Sequence, residues 1–350
     1  MPSGRLGASW LLLAIGGLWS APALGSPGES HADSPSRIFP VRYGMVVLQH
    51  DIGSVRLSGS PTLAGEPNDR NDSYLAQNAI AVSSLPQWIR DIRLRPLVVL
   101  LPSGSICRTR VKGFAAYSWA SPTDSWDELE PKIAARRIFE SGTRFIAADI
   151  VANRCKEGVA AVTDVEVAKR FLPAVPASDV LRSAALSEVS HLPSYRAVQS
   201  SYASFKAARR DAPPKPPLPA EWIDLPGDTA YWTIATGSSP LLLIAHFQRM
   251  PGPGQLAPAP GTKSGFADFV GSLLAVWRIS DPARPTLVSV ILEDMPPLDY
   301  FAPHGGLVEA GGALPLILFS SNGTFGVLSF VDGRYRLDDR FGFGPKKPQK

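Results

Sequence analysis

Short apolar or alternating runs recur roughly every ten residues along the chain, with Gly-, Pro-, Asn- and Asp-rich breaks between them, the pattern of successive short strands. Val41–Gln49 is apolar and rich in β-branched residues, and Ile52–Ser58 alternates on Ile52, Val55 and Leu57; both are expected as strands. Residues 59–73 are loop. Leu97–Leu101, bounded by Pro96 and Pro102, reads as a buried strand, Ile106–Tyr117 as a longer one, and Phe145–Val151 and Val159–Val165 as two more. Between 118 and 144 two readings stand. A helix starts at Pro131, or Glu140–Thr143 turns a hairpin. A capping-box spacing at Ser125–Glu128 would put Pro131 inside a helix, where it costs about 3 kcal/mol.

The period changes over 178–211. Ser178 or Asp179 caps a first helix, and Pro193 interrupts it. Ser194 then caps a second, whose Tyr195, Val198, Tyr202 and Phe205 form one apolar stripe suited to packing on a sheet. Ala212–Ala220 (APPKPPLPA) reads as a polyproline II linker. Strand signals return at Thr229–Thr236, Leu241–Phe247, Ser272–Ile279, Thr286–Leu292, Leu316–Phe319, Thr324–Val331 and Tyr335–Leu337. Asn322-Gly323 and Asp332-Gly333 fall at turn positions.

About fourteen strand candidates make a mainly β fold with a helical insertion (α+β). A β-propeller-like or β-sandwich sheet array is expected, or alternatively two small β domains joined by a helical hairpin. Val276–Val288 (VWRISDPARPTLV) resembles the strand-turn-strand of short repeats in bacterial cell-surface β-propellers; it occurs once. The expected divisions are a signal peptide at 1–25, a disordered leader at 26–36, an N-terminal β-rich domain at 37–170, a helical segment at 178–211, the linker at 212–220, a C-terminal β-rich domain at 221–340 and a tail at 341–350.

Arg5 followed by the apolar Trp10–Trp19 has the form of a secretory signal. A membrane-spanning helix needs about twenty apolar residues, so no span is expected after cleavage. Secreted, periplasmic or cell-surface residence follows, and with it a Cys107–Cys155 disulfide, since these are the only two cysteines. The formal charge of +4 is spread thinly. The best basic clusters are Lys206, Arg209, Arg210 and Lys215, and the tail lysines Lys346, Lys347 and Lys350, so nucleic acid is not an expected partner.

The common nucleophile, P-loop, zincin and dinucleotide motifs are absent from the sequence, and nothing in it calls for a cofactor. His50, Asp51, His304 and Asp299 are polar candidates for acid–base work at loop edges. Asp69, Asn71 and Asp72 offer oxygen ligands for Ca²⁺, although Arg70 subtracts charge and the spacing is not that of an EF-hand. Tyr117, Trp119, Trp126, Trp222, Tyr231 and Trp232 are candidates for a carbohydrate-stacking face. The expected function is a non-enzymatic binding or scaffold module of the cell envelope, its partner an envelope protein or glycan. The alternatives are an exported hydrolase of carbohydrate or peptide and a Ca²⁺-stabilised adhesin-like module.

Overall fold

Tyr43-Gly44 divides the first apolar run in two. Both residues have positive φ, 52° and 74°, so the chain reverses in a two-residue turn of the kind whose twist matches a hairpin. Strand β1 (Ile38–Arg42) therefore pairs back on β2 (Met45–Gln49), with Arg42 opposite Met45. The expected single strand over 41–49 is corrected accordingly. Ile52–Ser58 is not a strand either: Ile52 and Val55 are buried, and the segment's one pairing is a bridge from Leu57 to Ile80.

The computed structural model describes residues 37–64, 74–120, 129–207, 217–236, 239–252, 269–282, 284–291, 301–308, 314–321 and 324–338. The expected signal peptide, the leader at 26–36, most of the linker and the tail at 341–350 lie outside them. Among the described residues no helix is long and apolar enough to cross a membrane.

The strands form two nine-stranded antiparallel sheets rather than four-stranded blades. The first adds β3 (Thr62–Leu63), β4 (Tyr74–Ala79), β5 (Leu97–Leu100), β6 (Ile106–Thr109), β7 (Val111–Ala120), β8 (Thr143–Ile150) and β9 (Ala160–Val162), in the order β3-β4-β7-β8-β2-β1-β9-β5-β6. The run expected as one strand over 106–117 breaks at Arg110. Its first half pairs with β5 and its second with β4 and β8, so one stretch of chain serves both the sheet edge and its third position and the sheet curls strongly. Inside the curl, Val46, Leu48, Val99, Val111, Ile146 and Ile150 pack with α1 (Gln87–Ile92) and α2 (Pro131–Ser141). Pro131 stands at the first turn of α2, where its missing N–H costs nothing, so the helical reading of that region holds. The capping-box residues Ser125–Glu128 lie outside the described residues.

After the short α3 (Val165–Ala168), the second sheet takes in β10 (Phe171–Pro176), β11 (Thr229–Thr236), β12 (Ser239–Arg249), β13 (Gly271–Arg278), β14 (Thr286–Ile291), β15 (Ala302–Leu307), β16 (Leu316–Ser321), β17 (Thr324–Val331) and β18 (Arg334–Leu337). The segment resembling a propeller repeat supplies the β13–β14 hairpin. Asp332-Gly333, with φ of 52° and 79°, turns β17 into β18, whereas Asn322-Gly323 lies outside the described residues. Nine successive antiparallel neighbours leave the two edge strands, β14 and β18, running the same way. The barrel is nearly closed there by a side chain: Ser289 Oγ accepts from Tyr335 N at 3.2 Å.

Two of these strands carry little sequence signal. β10 contains Pro173 and Pro176, residues that argue against a central strand, yet it pairs on both sides. Its neighbour β15 (APHGGL) comes so close that a Cβ on Gly305 would lie 2.3 Å from the Leu172 carbonyl oxygen. Glycine is required there by contact rather than by a turn.

The continuous apolar run in β12 has a simple reason: both of its faces are covered. Leu243, Ala245 and Phe247 meet α4 (Asp179–Val189), α5 (Pro193–Ala207) and Trp222, while Leu242 and Ile244 face the barrel interior with Ile317 and Phe319. The stripe Tyr195, Val198, Tyr202, Phe205 is buried in the first of these layers. Ser178 precedes α4 without a side-chain cap bond, and Pro193, rather than Ser194, leads α5. The described end of the Pro-rich segment lies along α5: Tyr202 Oη donates to the Pro219 carbonyl at 3.0 Å and Lys206 Nζ to that of Ala220 at 2.8 Å. A third cluster joins the two sheets, with Ile38, Val98, Leu100 and Val162 against Phe171, Leu307, Leu318 and Val327.

Candidate functional site

The outer face of the first sheet, opposite α2, carries a smaller apolar cluster of Met45, Val47, Tyr117, Phe145 and Ala147. At its edge lies an open cavity of about 380 Å³, lined by Tyr43, Gly44, Met45, Leu63, Ala64, Leu75, Gln77, Lys112, Tyr117, Asp149, Ile150 and Lys156. The bulge that sets Gly113 opposite Asp149 places Lys112 at the rim. Tyr117 Oη donates to Asp149 Oδ1 at 2.9 Å, and burial, followed by the Asp149 charge, pushes the phenol far above its ordinary pKa, so it stays a donor. On the other side the stem of Lys156 runs against the β1–β2 turn, 3.1 Å from where a Cβ on Gly44 would stand.

The loop carrying Lys156 is tied to the sheet. Cys107 on β6 and Cys155 are bonded at 1.99 Å, with Cα atoms 5.5 Å apart, and both are buried. The pairing expected from the sequence is present. Around it stand exposed cations: Arg108, Arg110 and Lys112 along the strand, Arg154 and Lys156 on the loop. None of them belongs to the basic clusters at 206–215 and 346–350. The signal lay in the alternation R-x-R-x-K, which puts every cation on one side of an extended chain. What links that row to residues 48 positions later is the disulfide.

The histidine candidates do not converge with partners into one site. His50 follows β2, and burial, then the Arg42 charge, lowers its pKa to about 4. Asp51 Oδ1 accepts from Gly53 N at 3.0 Å, a local turn contact. His304 stands on β15 in the other sheet, its ring stacked 6.3 Å from Phe325, and burial lowers it to about 4. Asp299 and the Ca²⁺ candidates Asp69, Asn71 and Asp72 lie outside the described residues. Among the described residues no three His, Cys, Asp or Glu side chains group as a metal site.

A different histidine meets a hydroxyl. His246 Nε2 lies 3.3 Å from Ser272 Oγ on the neighbouring strand, with its ring 5.8 Å from Phe301. Burial lowers its pKa to about 4, and Asp228 pulls the other way.

The aromatic candidates share no single face. Trp222 is fully buried beside Tyr195, Tyr231 meets Phe247 edge-on, and Trp232 meets Phe301. Trp126 lies outside the described residues. Trp119 is near the cavity, but the Arg42 guanidinium lies over its ring at 5.0 Å and over that of Tyr43 at the same distance. No family model, curated protein or solved structure matches this chain.

Proposed function

We propose that this chain is an exported binding module of the cell envelope, and that the cleft between the β1–β2 turn and the disulfide-tied loop is where it binds. The observation that carries the reading is the convergence of a phenol and a carboxylate, 2.9 Å apart, with two lysines around a cavity of about 380 Å³. That is within the usual size of small-ligand sites, and its phenol and carboxylate stand on adjacent strands, where their positions are held. The apolar Trp10–Trp19 and the Cys107–Cys155 bond support export.

The test is titration of the oxidised protein with soluble envelope glycans and peptides, followed by calorimetry. Asp149→Asn and Tyr117→Phe are expected to weaken the ligand found by about tenfold each, the worth of a hydrogen bond to a charged group, without loss of the folded circular dichroism. Unchanged affinity in both variants removes the cleft as the site.

The hydrolase alternative draws on one contact, that of Ser272 with His246. A hydroxyl beside an unprotonated imidazole is the minimal arrangement for a serine nucleophile. If it operates, a fluorophosphonate probe labels the wild type and not Ser272→Ala. An unlabelled wild type removes this reading.

A further inference from the structure

The row of cations beside the cleft defines what kind of ligand the cleft takes. Along β6 and into β7, Cys107, Thr109 and Val111 are buried while Arg108, Arg110 and Lys112 are exposed. Alternate residues of an extended chain stand on one side, so the three charges span roughly 13 Å. The Cys107–Cys155 bond sets Arg154 and Lys156 next to this row. Lys112 and Lys156 both line the cavity, so the row and the cleft are continuous. Among the described residues the acids beside these segments are Asp149, which holds Tyr117, and Glu157. Among the described residues, five cations against two carboxylates is a large local excess in a chain whose formal charge is only +4. Charge of one sign on a rigid strand, pinned by a covalent bond, is ready to meet a line of anions without first being ordered.

Resting on the reading of the cleft as the binding site, we infer that the ligand is an acidic polysaccharide. Its carboxylates or sulfates lie along Arg108, Arg110, Lys112, Arg154 and Lys156, and one sugar ring enters the cleft, where Asp149 and Tyr117 meet its hydroxyls. Two other polyanions fit less well. Single-stranded nucleic acid needs open aromatic faces for its bases, and here Arg42 covers the rings of both Trp119 and Tyr43. An anionic bilayer offers nothing that would make use of a phenol and carboxylate at the bottom of a cavity.

The experiment uses the full chain with its disulfide intact. The probes are polygalacturonate, dextran sulfate, neutral dextran, a single-stranded oligonucleotide and phosphatidylglycerol vesicles, with affinity measured at 50 and 200 mM salt. The expected result is binding of the acidic glycans that weakens roughly tenfold or more across that salt range, as release of several counterions requires. Arg108→Gln/Arg110→Gln/Lys112→Gln and Arg154→Gln/Lys156→Gln should each lower the affinity about tenfold. Lys132→Gln/Arg137→Gln, which removes exposed charge from α2 on the opposite face, should leave it unchanged; circular dichroism melts verify that each variant is folded. An equal loss in the α2 variant, or tighter binding of the oligonucleotide or the vesicles than of either acidic glycan, overturns the inference. Binding of neutral dextran that survives the charge variants and is lost in Asp149→Asn also overturns it, and leaves the cleft standing. No saturable binding of any probe overturns the inference, while the cleft itself stands or falls with the Asp149→Asn and Tyr117→Phe titrations above.

Discussion

Replacing Cys107 and Cys155 together by alanine is expected to lower the stability by about 4 kcal/mol, the chain-entropy value for a cross-link spanning 48 residues. For a protein of this size that corresponds to a fall in Tm of roughly 6 °C. The effect should be large because the bond joins β6, at one edge of the first sheet, to a loop beyond β8, several strands away in the sheet order. Without it, closing the curl falls to the Val111–Ile150 end of the β7–β8 ladder and to contacts such as Ala152 N donating to Thr109 Oγ1 at 3.2 Å. Thermal melts of the variant and of wild type with and without reductant check this. Reduction should reproduce the double variant, and the variant itself should not respond to reductant. A shift below about 1 °C in both would show that the sheet holds its curl unaided. The same variant should bind an acidic glycan less well, since Arg154 and Lys156 are then no longer fixed beside Arg108.

Acidification is expected to destabilise the protein between pH 6.5 and about pH 4. His50, His246 and His304 all have folded pKa values lowered by burial to about 4, against 6.5 in the unfolded chain. Above pH 6.5 neither state carries the protons and the stabilisation is complete. As the pH falls below 6.5 the unfolded chain takes up protons that the folded chain refuses, so stability is lost until pH 4, where both states are protonated. Each histidine contributes at most about 3 kcal/mol over that window, a large share of the 5–15 kcal/mol typical of whole proteins. Tm measured from pH 7.5 to 4.5 should fall steeply. His304→Gln and His246→Gln should each give a shallower fall even if they start from a lower Tm. A wild-type Tm independent of pH in that range would show that these imidazoles protonate freely in the folded state. Two of the three sit in the second sheet, away from the cleft, so binding at the cleft should be less sensitive to mild acid than the melting temperature is.

How much of this was legible depends on the range of the interaction. The helical pair over 178–211 was visible because its period is local, and Pro193 marked the break within it. The strand runs of β12, β13, β14 and β17 were visible for the same reason. β10 and β15 were not, because Pro173, Pro176, Gly305 and Gly306 signal turns in any local reading. They become strands only because neighbours on both sides supply the hydrogen bonds and Gly305 admits the close approach. The turn at Tyr43-Gly44 was hidden within an apolar run that looked continuous. At the candidate site the sequence points to histidines, which the fold keeps apart, and to Tyr117 only as a stacking aromatic; Asp149, Lys112 and Lys156 are unremarkable residues until the bulge in β7 and the tied loop bring them together with it.

By itself, then, the order of residues determined the mainly β character, the place and polarity of the helical insertion, and the one possible cysteine pairing. These follow from side-chain periodicity and from there being two cysteines only. The tertiary structure alone decided that the strands make two nine-stranded sheets, that β6 and β7 part company at Arg110, and that Lys112 and Lys156 line one cleft. Strand partners and cross-chain charge clusters are set by which surfaces can be buried together, a property of the folded whole that no window of sequence contains.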